Sequence, residues 1–188
     1  MRLQCFLREG SEKDLISSIE KNCSYFLRDM KGSRYLFYRG IYYKIEDFEI
    51  RKSHLNDRTA MNMPQETHKK LNIYFKKKFG WEARNGVFTY GNIDEVGSYG
   101  EEYIFLPIGN FKFVWHPDIK DLYFNIKNKG LQNGSKPGPD KIFEDFVSEY
   151  KDNGIKEAVK SSSEVIFKCD SYYLLNQKYG KDVLEMLK

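Results

Sequence analysis

The chain has 188 residues, 40% hydrophobic and 31% charged, and its 31 Lys and Arg against 27 Asp and Glu give a formal charge of +4. That length suits a single domain, residues 1–188, with one continuous core, and so small a basic surplus does not by itself imply nucleic-acid binding. No run approaches the roughly 20 apolar residues of a membrane-spanning helix, "MRLQCFLREG" lacks the apolar core of a secretory signal, and Cys5, Cys23 and Cys169 show no CxxC or Cys/His spacing. A cytoplasmic protein is expected, without membrane association, disulfide framework or structural zinc.

Aromatic residues are frequent, with 14 Tyr and 14 Phe, and many fall in short alternating runs that favour strands. Most of them are expected to fill a β-rich core.

From Ser11, "SEKDLISSIEKNCSYFLRDMKG" spaces Leu15, Ile16, Ile19, Cys23, Phe26 and Leu27 as one amphipathic helix, with a Ser-x-x-Asp start and Gly32 past its end. "RYLFYRG" reads as a buried strand, a second extended run follows near "YYKIEDFEI", and "RKSHLNDRTAMNMP" has no period and reads as a loop. After Pro64, "QETHKKLNIYFKKKFG" sets Leu71, Tyr74, Phe75 and Phe79 on one side of a helix ending at Gly80. Its lysines, Lys69, Lys70, Lys76, Lys77 and Lys78, read as a solvated face, with phosphate contact as the alternative.

"GVFTYGN" is a short strand, "IDEVGSYG" a short helix or turn, and "EYIFLPIG" and "FKFVWHP" two strands joined by a turn at Gly109-Asn110. "NKGLQNGSKPGPD" reads as an exposed loop, followed by a helix over "DKIFEDFVSEYKDNG" with Asp140 as N-cap. "EVIFKCDSYYLLN" is one strand, or two joined near Asp170, before a short C-terminal helix.

Three positions stand out chemically. Arg39 ends an apolar strand, and an unpaired guanidinium in an apolar interior costs several kcal/mol, so it needs either a protein carboxylate or a ligand anion such as phosphate. Gly40, without a Cβ, lets a ligand approach the backbone beside it. Glu164 opens the apolar strand "EVIFKC", and Thr89 lies in "VFTYG" on a strand that ends in glycine. Arg51 and Arg58, beside the irregular loop, read as solvated, with phosphate or acceptor contact as the alternative. His54, His68 and His116 lie too far apart to suggest a metal site or triad. P-loop, GxGxxG and GxSxG motifs are lacking from the sequence.

Taken in order, "LFYRG", "VFTYG" with "DEVGSYG", and "SSSEVIF" resemble the Arg, Ser-Thr-Ser, Glu signature of the mono-ADP-ribosyltransferases, a superfamily that includes bacterial toxins and bacteriophage-encoded modifying enzymes. The resemblance implies an α+β domain with a split, mostly antiparallel β core and flanking helices, using NAD as co-substrate and no metal. It also implies that Arg39 holds the phosphates and nicotinamide end of NAD, that Gly40 offers backbone contacts, and that Thr89 braces the site. Glu164 then takes the catalytic place next to the ribose. Tyr42, Tyr43 and Tyr90 are candidates to stack on the nicotinamide. Only the central threonine of Ser-Thr-Ser is matched, by Phe88, Thr89 and Tyr90, and Ser162 stands where arginine-modifying members carry a second glutamate. That departure points away from arginine and leaves the acceptor open, protein or nucleic acid. The alternative is a non-enzymatic module that binds nucleic acid or protein through its aromatics and its lysine-rich helix.

Overall fold

A computed structural model describes residues 12–56, 58–60, 63–132 and 139–188. Cys5, the helix start at Ser11 and part of the segment between Asn128 and Asp140 lie outside the described residues.

The first helical stretch is two helices rather than one. α1 (Glu12–Asn22) buries Leu15 and Ile19, α2 (Ser24–Asp29) buries Phe26 and Leu27, and Cys23 breaks the run between them at φ −104°, ψ 17°. The apolar spacing survives the break because Cys23 is itself buried in the same core. β1 (Tyr38–Ile41) and β2 (Phe48–Lys52) follow. α3 (Gln65–Phe79) then ends at Gly80, whose φ of 76° only glycine adopts readily and whose N–H returns to the Lys76 carbonyl.

β3 (Val87–Tyr90), β4 (Glu101–Ile108) and β5 (Lys112–Trp115) come next, then α4 (Leu122–Gln132) and α5 (Pro139–Ser148). α4 runs into the segment expected to be a loop, anchored by Leu122, Tyr123 and Ile126 against the core. Asp121 starts it, its Oδ1 accepting from the Phe124 N–H at 2.9 Å. Asp140 lies inside the first turn of α5 and not at its N-cap. The short α6 (Ile155–Ala158), β6 (Glu164–Lys168), β7 (Ser171–Leu175) and α7 (Gly180–Met186) complete the chain.

The fold is α+β, with a seven-stranded sheet in the order β2-β7-β4-β1-β3-β6-β5 whose paired strands are all antiparallel. β4 and β5 are consecutive in the chain yet do not pair, β4 lying between β7 and β1 and β5 at the far edge beside β6. The joint between β1 and β3 is minimal. β1 registers with β4 from Tyr38↔Ile104 to Ile41↔Glu101, but it meets β3 only at Tyr38↔Tyr90. The sheet is nonetheless continuous, and its pairing matches the expected mostly antiparallel β core.

Side-chain alternation feeds two cores. From β6, Val165 and Phe167 join the cluster containing Leu15, Phe26 and Val183, while Ile166 joins the one containing Leu71, Phe75 and Phe143. Glu164, two residues before Ile166, shares the parity of the second set. Among the described residues no helix is long and apolar enough to cross a membrane.

Candidate functional site

The strands that carry Arg39, Thr89 and Glu164 are neighbours in the sheet, β1 beside β3 beside β6. Three positions spread over 126 residues of chain therefore come to one seam, where the β1–β3 ladder gives out.

Arg39 fills that opening. Its Nη1 donates to the Phe88 carbonyl at 2.8 Å, its guanidinium lies 5.9 Å from the centre of the Tyr172 ring, and its buried Nε has no hydrogen-bond partner. It forms no ion pair with a described carboxylate. Burial pulls the guanidinium below its usual range, and Arg51 pushes the same way.

Glu164 sits opposite Tyr90 in the β3–β6 register and is 7% exposed. Its Oε1 accepts from Nη1 of Arg84 at 2.5 Å, while Oε2 takes no hydrogen bond from a described residue. Oε2 still touches solvent, since the only fully buried polar side-chain atoms without a partner among the described residues are Nε of Arg39 and of Arg84. Burial pushes the Glu164 carboxyl upward and Arg84 pulls against it. The Arg84 guanidinium, always protonated, favours the ionised carboxylate against that burial.

Two cationic residues of this cluster carry more than their sequence context indicated. Arg84 lies in the 3₁₀ turn Ala83–Asn85 just before β3, its N–H fixed by Asn72 Oδ1 at 2.8 Å. Arg58, read as a solvated loop arginine, instead donates from Nη1 to the Gly86 carbonyl and lies 4.0 Å from the centre of the Phe88 ring. Arg84 lies 4.5 Å from the same ring, so Phe88 carries both guanidiniums. Burial, then the like charges of Arg39 and Arg84, pull Arg58 down to about 9, and Glu164 pulls it back. At neutral pH it remains a cation. "EARNG" offered one signal for Arg84, a charged residue directly before a buried strand, but nothing that named its partner 80 residues away.

The remaining candidates are placed as follows. Thr89 is fully buried and its hydroxyl donates to the Val165 carbonyl at 3.0 Å, so it pins β3 to β6. A Cβ on Gly40 would meet Tyr99 Cβ at 2.6 Å and its backbone at 2.9 Å, so the space beside Gly40 is filled by Tyr99 rather than left to a ligand. Tyr90 is buried and stacks on Tyr99, centroids 6.1 Å apart and planes 16° from parallel. Tyr42 is 71% exposed on the surface, and the Tyr43 hydroxyl donates to Glu49 at 2.7 Å, so of the tyrosines only Tyr90 lies at the seam.

A groove of about 600 Å³ beside the cluster is lined by Arg58 and by one face of α3. Neither this groove nor a smaller concavity of about 170 Å³ beside Glu101, Glu102 and Gln177 is lined by Arg39 or Glu164. Arg58 is thus the residue common to the groove and the buried cluster.

Comparison with family models, with curated proteins and with solved structures returned no match.

Proposed function

We propose that the protein is an NAD-dependent mono-ADP-ribosyltransferase. The observation that carries this reading is the charge imbalance around Phe88: guanidiniums of Arg39, Arg58 and Arg84 against one contacting carboxylate, that of Glu164. Arg84 is neutralised by Glu164, which leaves Arg39 and Arg58 without an ion-pair partner among the described residues and Arg39 with an unpartnered buried Nε. A pyrophosphate supplies two negative charges and the acceptors such donors lack.

In the reaction, the bond from ribose C1′ to the nicotinamide nitrogen breaks, and its electron pair leaves with neutral nicotinamide. C1′ develops positive charge as in glycoside cleavage. Glu164 faces that charge through Oε2, while Arg84 holds Oε1 and fixes the carboxylate in place, a preorganised arrangement that contributes about 3 kcal/mol or more to such steps. The acceptor's oxygen or nitrogen then bonds to C1′ and gives its proton to water. Thr89 keeps β3 and β6 in register beneath the site, and the stacked Tyr90 and Tyr99 form a flat wall against which a planar leaving group fits.

The test is nicotinamide release and transfer of label from labelled NAD by the wild type, Glu164→Gln and Arg39→Lys. The first variant is expected to lose 100-fold or more in rate, about what one transition-state contact supplies. The second keeps the charge but loses the fork, and its NAD affinity should fall at least tenfold, on the order of 1.4 kcal/mol, with little change in melting temperature. Equal label transfer by Glu164→Gln and wild type, or no NAD binding at millimolar concentration, would overturn the assignment.

A further inference from the structure

α3 carries its apolar residues Leu71 and Phe75 into the core, and most of its remaining surface forms one wall of the 600 Å³ groove. The groove residues on this helix are Gln65, His68, Lys69, Asn72, Ile73, Lys76 and Lys77, spaced alternately three and one apart along one stripe. From Gln65 to Lys77 that stripe is about 18 Å long at 1.5 Å per residue. Lys69 lies near its start and Lys76 and Lys77 at its far end, Arg58 also lines the groove, and Glu82 is the one acid among the described lining residues. Among the described residues, Arg58, Lys69, Lys76 and Lys77 against Glu82 leave a surplus of three positive charges in the groove.

These cations are available. Lys69 makes no ion pair with a described residue, and Lys76 and Lys77 are held only by exposed contacts, with Glu82 at 3.2 Å and Glu144 at 3.6 Å. Surface pairs of this kind contribute little and exchange readily for another anion. Lys78, by contrast, turns away and donates to the carbonyls of Val147, Ser148 and Tyr150. The surplus along the stripe also exceeds what a dinucleotide needs, because Arg39 and Arg58 together match a pyrophosphate before any lysine of α3 is reached. An extended polyanion fits the length, the charge and the concave, amide-bearing floor, and the flexible backbone of a single strand follows such a groove better than a stiff duplex.

We propose that the α3 groove binds a single-stranded nucleic acid, its phosphates on Lys69, Lys76 and Lys77 with Arg58 left to the dinucleotide, and delivers it to the Glu164 cluster as the acceptor of ADP-ribose. That the bound strand is also the acceptor rests on the transferase reading above, whereas binding itself does not.

The experiment uses fluorescein-labelled 12-nucleotide DNA and RNA strands, titrated by anisotropy without NAD over a range of salt concentrations, with an acidic peptide of equal charge beside them. With about three phosphate contacts, the plot of log affinity against log salt should have a slope of about −2, nearly lost in the triple variant K69Q/K76Q/K77Q, whose affinity falls at least tenfold. K156Q, outside the groove, should bind like the wild type. Incubation with labelled NAD then labels the preferred strand, and the DNA and RNA arms tell which nucleic acid is used. Absent or salt-independent strand binding, equal binding by the triple variant, or label on the peptide instead of either strand would each overturn the proposal. Complete displacement of the strand by saturating NAD would also overturn it, by making the groove the dinucleotide's own. Since strand binding is read without NAD, failure of NAD cleavage and failure of the groove are seen separately.

Discussion

Glu164 and Arg84 meet at 2.5 Å with their side chains 8% and 10% exposed, and the chemistry of the cluster turns on that contact. Burial pushes the carboxyl up while the guanidinium opposes it, so the reaction should lose rate as the pH falls through a value above the 4.5 of an ordinary glutamate. The sign follows from the reacting form: only the ionised carboxylate offsets the charge at C1′, and it is depleted below its pKa. In Arg84→Met the opposing pull is gone, so the fall should move to still higher pH, read from the pH profile of nicotinamide release. The same variant leaves a buried carboxylate without its partner and should lose about 3–5 kcal/mol of stability in chemical denaturation. An unchanged profile would remove Arg84 from any role in positioning Glu164. Much of this cluster was legible residue by residue. An arginine ending an apolar strand demanded a counter-charge or a ligand anion, whereas a glutamate beginning one carried no such demand, and the structure buries the glutamate and the Nε of the arginine. Their actual partners were not legible, because Arg84 pairs with Glu164 across 80 residues and Arg39 pairs with a backbone carbonyl of β3. Gly40 was read correctly as a place of close approach and wrongly as to what approaches, which is Tyr99.

Among the elements, α3 and α5 were legible because their apolar residues repeat at helical spacing and their inner faces find one shared core. α4 was not, since its second half carries Asn128 and Gly130, turn formers that tertiary anchoring by Leu122 and Ile126 overrides. Nor could spacing reveal that β4 and β5, joined by a tight turn at Gly109 with φ 69°, would lie on opposite sides of the seam. The packing of α3 on α5 includes one contact that the lysine pattern concealed. Lys78 caps the end of α5, its ammonium accepted by the carbonyls of Val147, Ser148 and Tyr150, and burial pulls it below the usual lysine range. Lys78→Met should therefore lower stability by about 1–2 kcal/mol, a drop of roughly 2–8 °C in melting temperature for a chain of this size. Lys69→Met, on the same helix but without a described ion pair, should melt within 1–2 °C of wild type. Equal melting of both variants would show that the cap adds nothing.

Across the molecule, the first core draws on strands from both halves of the sheet, while β1 and β3 are joined at one registered pair. Cys23 and Cys169 both belong to the first core, and burial pushes their thiols up to about 12 and about 11. In a Cys5→Ser background neither should react with a thiol reagent at pH 8 until the protein unfolds, so labelling and unfolding rates should coincide. Rapid labelling of native protein would mean that the first core opens locally. That seam is also where the proposed dinucleotide meets the chain, and a crystal structure with a non-cleavable NAD analogue tests the claim most directly. The account predicts the pyrophosphate within hydrogen-bond distance of Arg39 Nε and the Arg58 guanidinium, with the nicotinamide ribose against Oε2 of Glu164. A dinucleotide bound elsewhere, or a Glu164 carboxylate with no sugar beside it, would contradict it.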